Sequence, residues 1–245
     1  MFDIAYLPST FRLIRKEAPL FTPEIEKRVD ELWQVATQNT GAFLYNGMIF
    51  SACTVKENFI EGFFIEYKYL IAQQMDARLK NVLNICPVSI VGYLTCQDGI
   101  LFAKRQSWLA THAEQWSFSP SSYLSLDVLS HDGALDYDKA FLVSLKQEIN
   151  INPANLSEFS NYALVTDTNI DGNRISLIIK ANVDMTSFAI KKAMMRAVQN
   201  EYSEIVAVPE NELDLFWSTH VGEDMRLAKY LFFFENYLTL EKKTA

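Results

Sequence analysis

The residue types able to do chemistry are concentrated between Gly99 and Ile151. An apolar run ends in two cations, Gly99-Ile-Leu-Phe-Ala-Lys104-Arg105, and positive charge at a strand end is placed to meet phosphate. A cluster of indole, hydroxyls and proline follows, Trp116-Ser-Phe-Ser-Pro120-Ser121-Ser122, and then a segment ending Val143-Ser144-Leu-Lys-Gln147-Glu148-Ile-Asn150-Ile151. Glu148 is the acid of that segment, and Gln147 beside it offers an amide oxygen without charge. Other groups offer less. His112, His131 and His220 are scattered, with no ligand spacing between them, and read as surface or loop side chains. Ser130-His131-Asp132 has the residue types of a catalytic triad, but a triad is a spatial arrangement and no G-x-S-x-G elbow occurs. Asp167-Thr-Asn-Ile-Asp171-Gly172 looks like a calcium loop without its closing bidentate Glu, so a hairpin turn is expected there.

The order of hairpin, Trp–Pro loop and helix resembles the Nudix hydrolase family, whose signature reads G-x5-E-x7-R-E-U-x-E-E-x-G-U, with U aliphatic. In that family carboxylates on one helix face hold Mg²⁺ against a pyrophosphate, and the metal neutralises charge and activates a water. Laid on this chain, the family Arg becomes Val143, the first helix Glu becomes Ser144, the next becomes Gln147, and Glu148 keeps its identity. Asn150 replaces a Gly, and Asn is the next-best residue for a left-handed helix cap. Trp116 and Pro120 match the family's W-x-x-P-G-G approach with one extra residue, and Ser121 and Ser122 replace the glycines. Asp127 falls where the motif places its first Glu, and a lengthened loop separates it from the helix.

The resemblance implies Glu148 as catalytic and metal-binding carboxylate, Asp127 as a second metal ligand, and Lys104, Arg105, Trp116 and Gln147 as substrate contacts. It implies Mg²⁺ as cofactor if the protein is active, and a nucleoside diphosphate-linked compound as ligand. The segments Leu44-Tyr45-Asn46-Gly47, Tyr67-Lys68, Val88–Gly92 and Leu101–Arg105 are similar to an N-terminal extension of the branch that acts on UDP-sugars, which points to a nucleotide sugar. Glu204 to Leu213 is similar to the late strand and following helix of the family. With no Glu at 144 or 147 and no Arg at 143 to orient a carboxylate, pyrophosphohydrolase activity is expected to be weak or lost. Two readings compete: an active Mg-dependent hydrolase whose site is rebuilt with Asp136, Asp138 or Glu204, and a non-catalytic protein-interaction module.

Thr22-Pro23-Glu24 is a helix start, with a capping Thr, Pro at the first helical position and an acid in the first turn. That helix is expected to run to about residue 37, with Ile25, Val29, Leu32 and Trp33 inward. Ala42 to Tyr67 reads as strands, with an Asn46-Gly47 hairpin turn and a second turn at Lys56-Glu57-Asn58. A helix is expected from Tyr67 to about Asn81, and Cys86-Pro87 marks a boundary. Val88–Cys96 and Ile100–Lys104 form a hairpin across Gln97-Asp98-Gly99. Phe141, Leu142, Leu145 and Ile149 recur at helical spacing, so 138–149 is a helix, closed by Pro153. Strands are expected at 159–166, 174–181 and 204–208, and helices near 187–199 and at the C-terminus.

Strands and helices mix without strict βαβ alternation, which argues α+β. The resemblance sharpens this to an α/β/α sandwich with a mixed sheet over 88–245, preceded by an α+β extension over 1–87 and ending in C-terminal helices. Thirty acidic against 22 basic residues give a net charge of −8, with no Lys/Arg run of the kind phosphate backbones require, which argues against nucleic-acid binding. No apolar run reaches a membrane span and no charged-then-apolar leader opens the chain, so a soluble cytoplasmic protein is expected. Cys53, Cys86 and Cys96 show no C-x-x-C spacing and are expected to be buried free thiols. Met194-Met195 and Leu231-Phe-Phe-Phe234 are expected in the core, the latter marking a partner surface if exposed.

Overall fold

A computed structural model describes residues 2–39, 44–109, 111–130, 134–167, 174–220 and 226–232. The chain is α+β, a large mixed sheet with helices on both faces and a second, smaller sheet against one of them. The large sheet holds β1 (Phe2–Tyr6), β5 (Val88–Cys96), β6 (Gly99–Arg105), β9 (Leu156–Asp167), β10 (Arg174–Val183) and β11 (Tyr202–Val208) in the order β1-β9-β10-β5-β6-β11. β5 and β10 run parallel, and the other neighbours are antiparallel.

Side chains alternate faces along each strand, so the pattern of each strand names its two layers. Ile90 and Leu94 of β5, Leu101 and Ala103 of β6, and Leu177 and Ile179 of β10 face one core. Helix α4 (Tyr137–Ile149) contributes Phe141, Leu145 and Ile149 to it, and α5 (Ser187–Met194) contributes Ile190 and Met194. Val91, Tyr93, Ile100, Phe102 and Ile178 face the other core. It is covered by α6 (Leu213–Thr219) through Leu213 and Trp217, and by helical residues 226–232 through Leu227, Ala228 and Leu231.

β2 (Arg12–Arg15), β3 (Met48–Lys56) and β4 (Phe59–Glu66) form the small sheet, in the order β2-β4-β3. One face packs Ile49, Phe63 and Ile65 on α1 (Pro23–Asn39) and α2 (Tyr67–Met75). The other face turns Leu13, Phe50, Ile60 and Phe64 into the same core as Ile90 and Leu145. Residues on either side of position 87 therefore share one core, a Ser51–Pro87 bridge joins the sheets, and β1 pairs with β9 in the large sheet.

β5 and β6 are hydrogen-bonded only at their turn, through Thr95–Ile100 and Cys96–Gly99. Beyond it they diverge, and β7 (Trp116–Ser117) pairs with β6 while β8 (Ser121–Tyr123) pairs with β5. That opening between central strands is what makes room for a site. Gly92 lies where the 116–123 segment crosses β5: its N–H donates to Pro120 O at 2.8 Å, and a Cβ there would sit 2.6 Å from Pro120 Cδ. Gly92→Ala should therefore destabilise the protein by about 1–3 kcal/mol, as overpacking of a close approach does. Urea denaturation of the variant would show it, and a loss within error of zero would remove this constraint. Gly99, at φ +144°, is required by its turn, since a Cβ would meet Val208 O at 2.4 Å.

Several local expectations change. Asn46-Gly47 makes no hairpin turn. Asn46 caps α2 instead, its Oδ1 accepting from Lys68 N–H at 2.9 Å and its Nδ2 donating to Glu66 at 2.8 Å, and the hairpin closes at Glu57-Asn58. An Asn side chain bonded to backbone competes with the turn it could otherwise form. The helix after Tyr67 stops at Met75, because Asp76 takes extended backbone and its carboxylate accepts from Arg78 N–H to start a 3-10 turn. α5 ends at Met194, short of the expected Gln199, and Met195 is exposed. Cys53 is exposed too, since the bulge between Ala52 and Thr54 breaks the alternation that would bury it. β1 and β2 were not expected. Leu231 is buried and Phe232 packs on Trp217. His131, Asp132, Asp171, Gly172 and Phe234 lie outside the described residues.

Candidate functional site

α4 starts at Asp136, whose side chain accepts from Lys139 N–H at 2.9 Å, and ends at Asn150 in the left-handed conformation, φ 55°. The apolar stripe of Phe141, Leu145 and Ile149 sets which helix face turns inward, and Glu148 lies beside it, 1% exposed. Its Oε2 accepts from Ser121 N–H at 3.0 Å and from Tyr202 O–H at 2.7 Å. Burial pushes the Glu148 carboxyl up to about 7, and the nearby Glu201 charge adds to the rise, while Tyr202, Ser121 and Arg105 pull it back. Glu201 is raised as well, by burial, against the opposing Arg105. Tyr202 is raised by burial and by the Glu148 charge.

Arg105 is the cation of this cluster. The antiparallel register sets it opposite Tyr202, and its Nη1 lies 3.4 Å from Glu201 Oε2. Its buried Nε has no hydrogen-bond partner among the described residues.

Above the cluster opens a pocket of about 600 Å³. Arg105, Glu201 and Ser121 reach its floor, and Arg174 at the start of β10 is a second cation on its lining. Tyr45 and Tyr67 approach from the segments flanking the small sheet, and Tyr123 from β8, with the Tyr67 and Tyr123 rings 5.9 Å apart. Asp127 lines the rim on an exposed 3-10 turn, Leu126–Val128, where its carboxylate accepts from Ser125 Oγ–H at 3.2 Å.

Of the six residues expected at the site, Arg105 and Asp127 line the pocket and Glu148 lies beneath it. Gln147 is not part of the pocket lining; its backbone carbonyl accepts from the N–H of Gln199, a wall residue, at 3.0 Å. Lys104 and Trp116 stand on the opposite face of β6. Adjacent strand residues point opposite ways, so Lys104 cannot share a face with Arg105. Lys104 pairs with Glu114 at 2.7 Å, and Trp116, its register partner, packs on Phe216 and His220. Ser144 of α4 and Ser122 of β8 meet each other: their hydroxyls are 2.7 Å apart.

Sequence reasoning missed Glu201, Tyr202 and Arg174, whose strand-end positions give no local signal. His112 also reaches the pocket. Mg²⁺ needs several hard oxygen ligands. Here the buried carboxylate is engaged by two hydrogen bonds, and among the described residues no three His, Cys, Asp or Glu come together to hold a metal ion. These residues do not fit a Mg²⁺ site. No helix among the described residues is long and apolar enough to cross a membrane.

No protein-family model matches the chain, and no curated protein matches it. Among solved structures it is similar to the MutT protein from Methanosarcina mazei Go1, at 14% identity and TM-score 0.42 over 64% of this chain and 95% of that one. It is similar to a Nudix hydrolase from Nitrosomonas europaea, at 10% identity and TM-score 0.39 over 60% and 88%. It is also similar to the Nudix domain of Shewanella oneidensis NrtR complexed with ADP ribose, at 11% identity and TM-score 0.38 over 57% and 86%.

Proposed function

We propose that this chain is a Nudix-fold protein that binds a nucleoside diphosphate-linked compound, a nucleotide sugar being the favoured class, with pyrophosphohydrolase activity weak or lost. The observation that carries the reading is one pocket that joins two guanidinium groups to three tyrosine rings. Its size is that of a small-molecule site. Arginine forks match phosphate oxygens, and a tyrosine face stacks on a base. Glu148 supports the loss of hydrolysis: with its carboxyl pushed up by burial and bonded to Ser121 and Tyr202, it is poorly placed to ligate Mg²⁺. In this reading residues 1–87 are the extension that supplies Tyr45 and Tyr67 to a catalytically worn 88–245 domain, and the protein works in the cytoplasm.

Thermal shift with UDP-glucose and other nucleoside diphosphate compounds, with and without Mg²⁺, tests the proposal. Stabilisation that does not require Mg²⁺, with little or no turnover, is the expected result. Flat responses to every compound would overturn it. Robust Mg²⁺-dependent turnover abolished by Glu148→Gln would replace it with the rearranged hydrolase, in which Asp127 and Glu148 work with a third acid.

A further inference from the structure

Helix α5 buries one apolar face and leaves a second one uncovered. Ile190 and Met194, one turn apart, are buried where α5 packs on β11 and α4. Phe188, Lys192 and Met195 recur at the same helical spacing on the opposite side, and Phe188 is 76% and Met195 74% exposed. One further turn continues the backbone, with Arg196 N–H donating to Ala193 O at 2.9 Å, and Val198 beyond it is 89% exposed. Scattered apolar side chains are ordinary on a surface, but large ones gathered on one short stretch mark an interaction site.

The uncovered face is cationic as well. Lys191, Lys192 and Arg196 are exposed, and no Asp or Glu occurs from Met185 to Asn200. Lys146 of α4 joins them: its ammonium donates to Asn150 Oδ1 at 2.7 Å, and Asn150 Nδ2 donates to Ala193 O of α5 at 3.2 Å. None of these four cations has a carboxylate partner among the described residues. The acids of neighbouring segments stand elsewhere. Asp184 precedes the helix, and Asp98 accepts from Ser187 N–H at 2.5 Å at its N-terminal end. Glu201 turns inward to Arg105, and Glu204 lies opposite Lys104 on the far face of the sheet. In a chain of net charge −8 the patch is a local reversal of sign.

We propose that this face of α5 is a docking surface for an acidic amphipathic segment of a partner protein. Phe188 and Met195 enter the apolar side of that segment, and the lysines and Arg196 meet its carboxylates. Charge decides the occupant. A second copy seated across a two-fold axis would set Lys192 against Lys192, and like charges repel. An anionic membrane is an extended plane, which would also face the acidic remainder of the chain. A segment about as long as α5 meets only the patch. Phe, Met and Arg are enriched in protein interfaces. No residue of the patch lines the large pocket, so docking here does not depend on what the pocket binds.

The probe is a fluorescein-labelled designed helix of about 18 residues, long enough to form in water, with leucine at every third and fourth position and glutamate between. Anisotropy titration against the full chain should show saturable binding that weakens as salt rises. The same helix with lysine for glutamate should not bind, and the one with glutamine for leucine should bind at least about fivefold more weakly. Phe188→Ser and Met195→Ser should each weaken the probe by at least about fivefold, and the double variant Lys191→Glu/Lys192→Glu by at least about tenfold. All these side chains are exposed, so the variants should unfold in urea like the parent. Lys27→Glu, an exposed lysine of α1, should change nothing. Absence of probe binding overturns the proposal, as does binding indifferent to the patch variants or weakened equally by Lys27→Glu. Phosphatidylserine vesicles bound through the patch without the probe would assign the face to a lipid surface. Sedimentation showing a dimer that Phe188→Ser dissolves would assign it to a second copy, and either result overturns the proposal.

Discussion

Arg105→Ala is expected to destabilise the protein by about 3 kcal/mol at pH 8, the low end of the range for removing one partner of a buried ion pair. The Arg105 side chain is only 12% exposed and that of Glu201 27%, so neither charge is well served by water once the other is gone. Glu148 and Glu201 would then face each other without a cation, the second carboxylate already raising the first. Both would take up protons to escape the repulsion. The loss should therefore shrink as pH falls toward 5, because protonation of the two carboxyls relieves the repulsion. Glu201→Gln in the Arg105→Ala background should recover part of it. Urea denaturation at the two pH values measures this, and a loss below about 1 kcal/mol at pH 8, or one that does not change with pH, would show that Arg105 does not hold the cluster together.

Glu148→Gln should flatten the pH dependence of stability through the neutral range. The carboxyl titrates near its ordinary 4.5 in the unfolded chain and at about 7 in the folded one. Between those values the folded state binds more protons, so stability is highest below about 4.5 and falls as pH rises toward 7. At one unit per 1.36 kcal/mol, the decline from this group amounts to about 3 kcal/mol. Raised Glu201 steepens it in the same direction. Gln keeps the shape and an acceptor oxygen for Ser121 N–H and Tyr202 O–H, but has no proton to lose. The variant should match or exceed the parent in stability at pH 8 and lose any disadvantage of the parent's ionisation. Denaturation curves from pH 4.5 to 8 decide it: a variant with the parent's slope would mean that other groups carry the effect.

How far the site was legible follows from the range of each signal. The helical spacing of Phe141, Leu145 and Ile149 and the cap at Asn150 are local, and the structure shows the helix over Tyr137–Ile149 with Asn150 left-handed. The hairpin across Gln97-Asp98 and the helix opened by Thr22-Pro23 are local too, and both are present. β1 escaped because a short edge strand has no helical or alternating signature long enough to stand out, and only its pairing with β9 makes it a strand. Asn46-Gly47 carried a strong turn signal, yet the Asn side chain found Lys68 N–H and Glu66 instead.

The functional residues divide in the same way. The sequence, through the family resemblance, marked Glu148, Arg105 and Asp127 together with Lys104, Trp116 and Gln147, and it set Lys104 and Arg105 at one site although adjacent strand residues point apart. It could not say which of the two faces a pocket, because that depends on which core each sheet face covers. Tertiary structure decided that Glu148 lies sealed under Ser121 and Tyr202, brought Glu201 to it from more than fifty positions away, and set Ser122 against Ser144. Each is a contact between segments whose separation the chain does not encode locally. Burial, more than residue type, sets whether a carboxyl is charged and free to bind a metal, and burial exists only once the sheet, the helix and the crossing loop have closed around it.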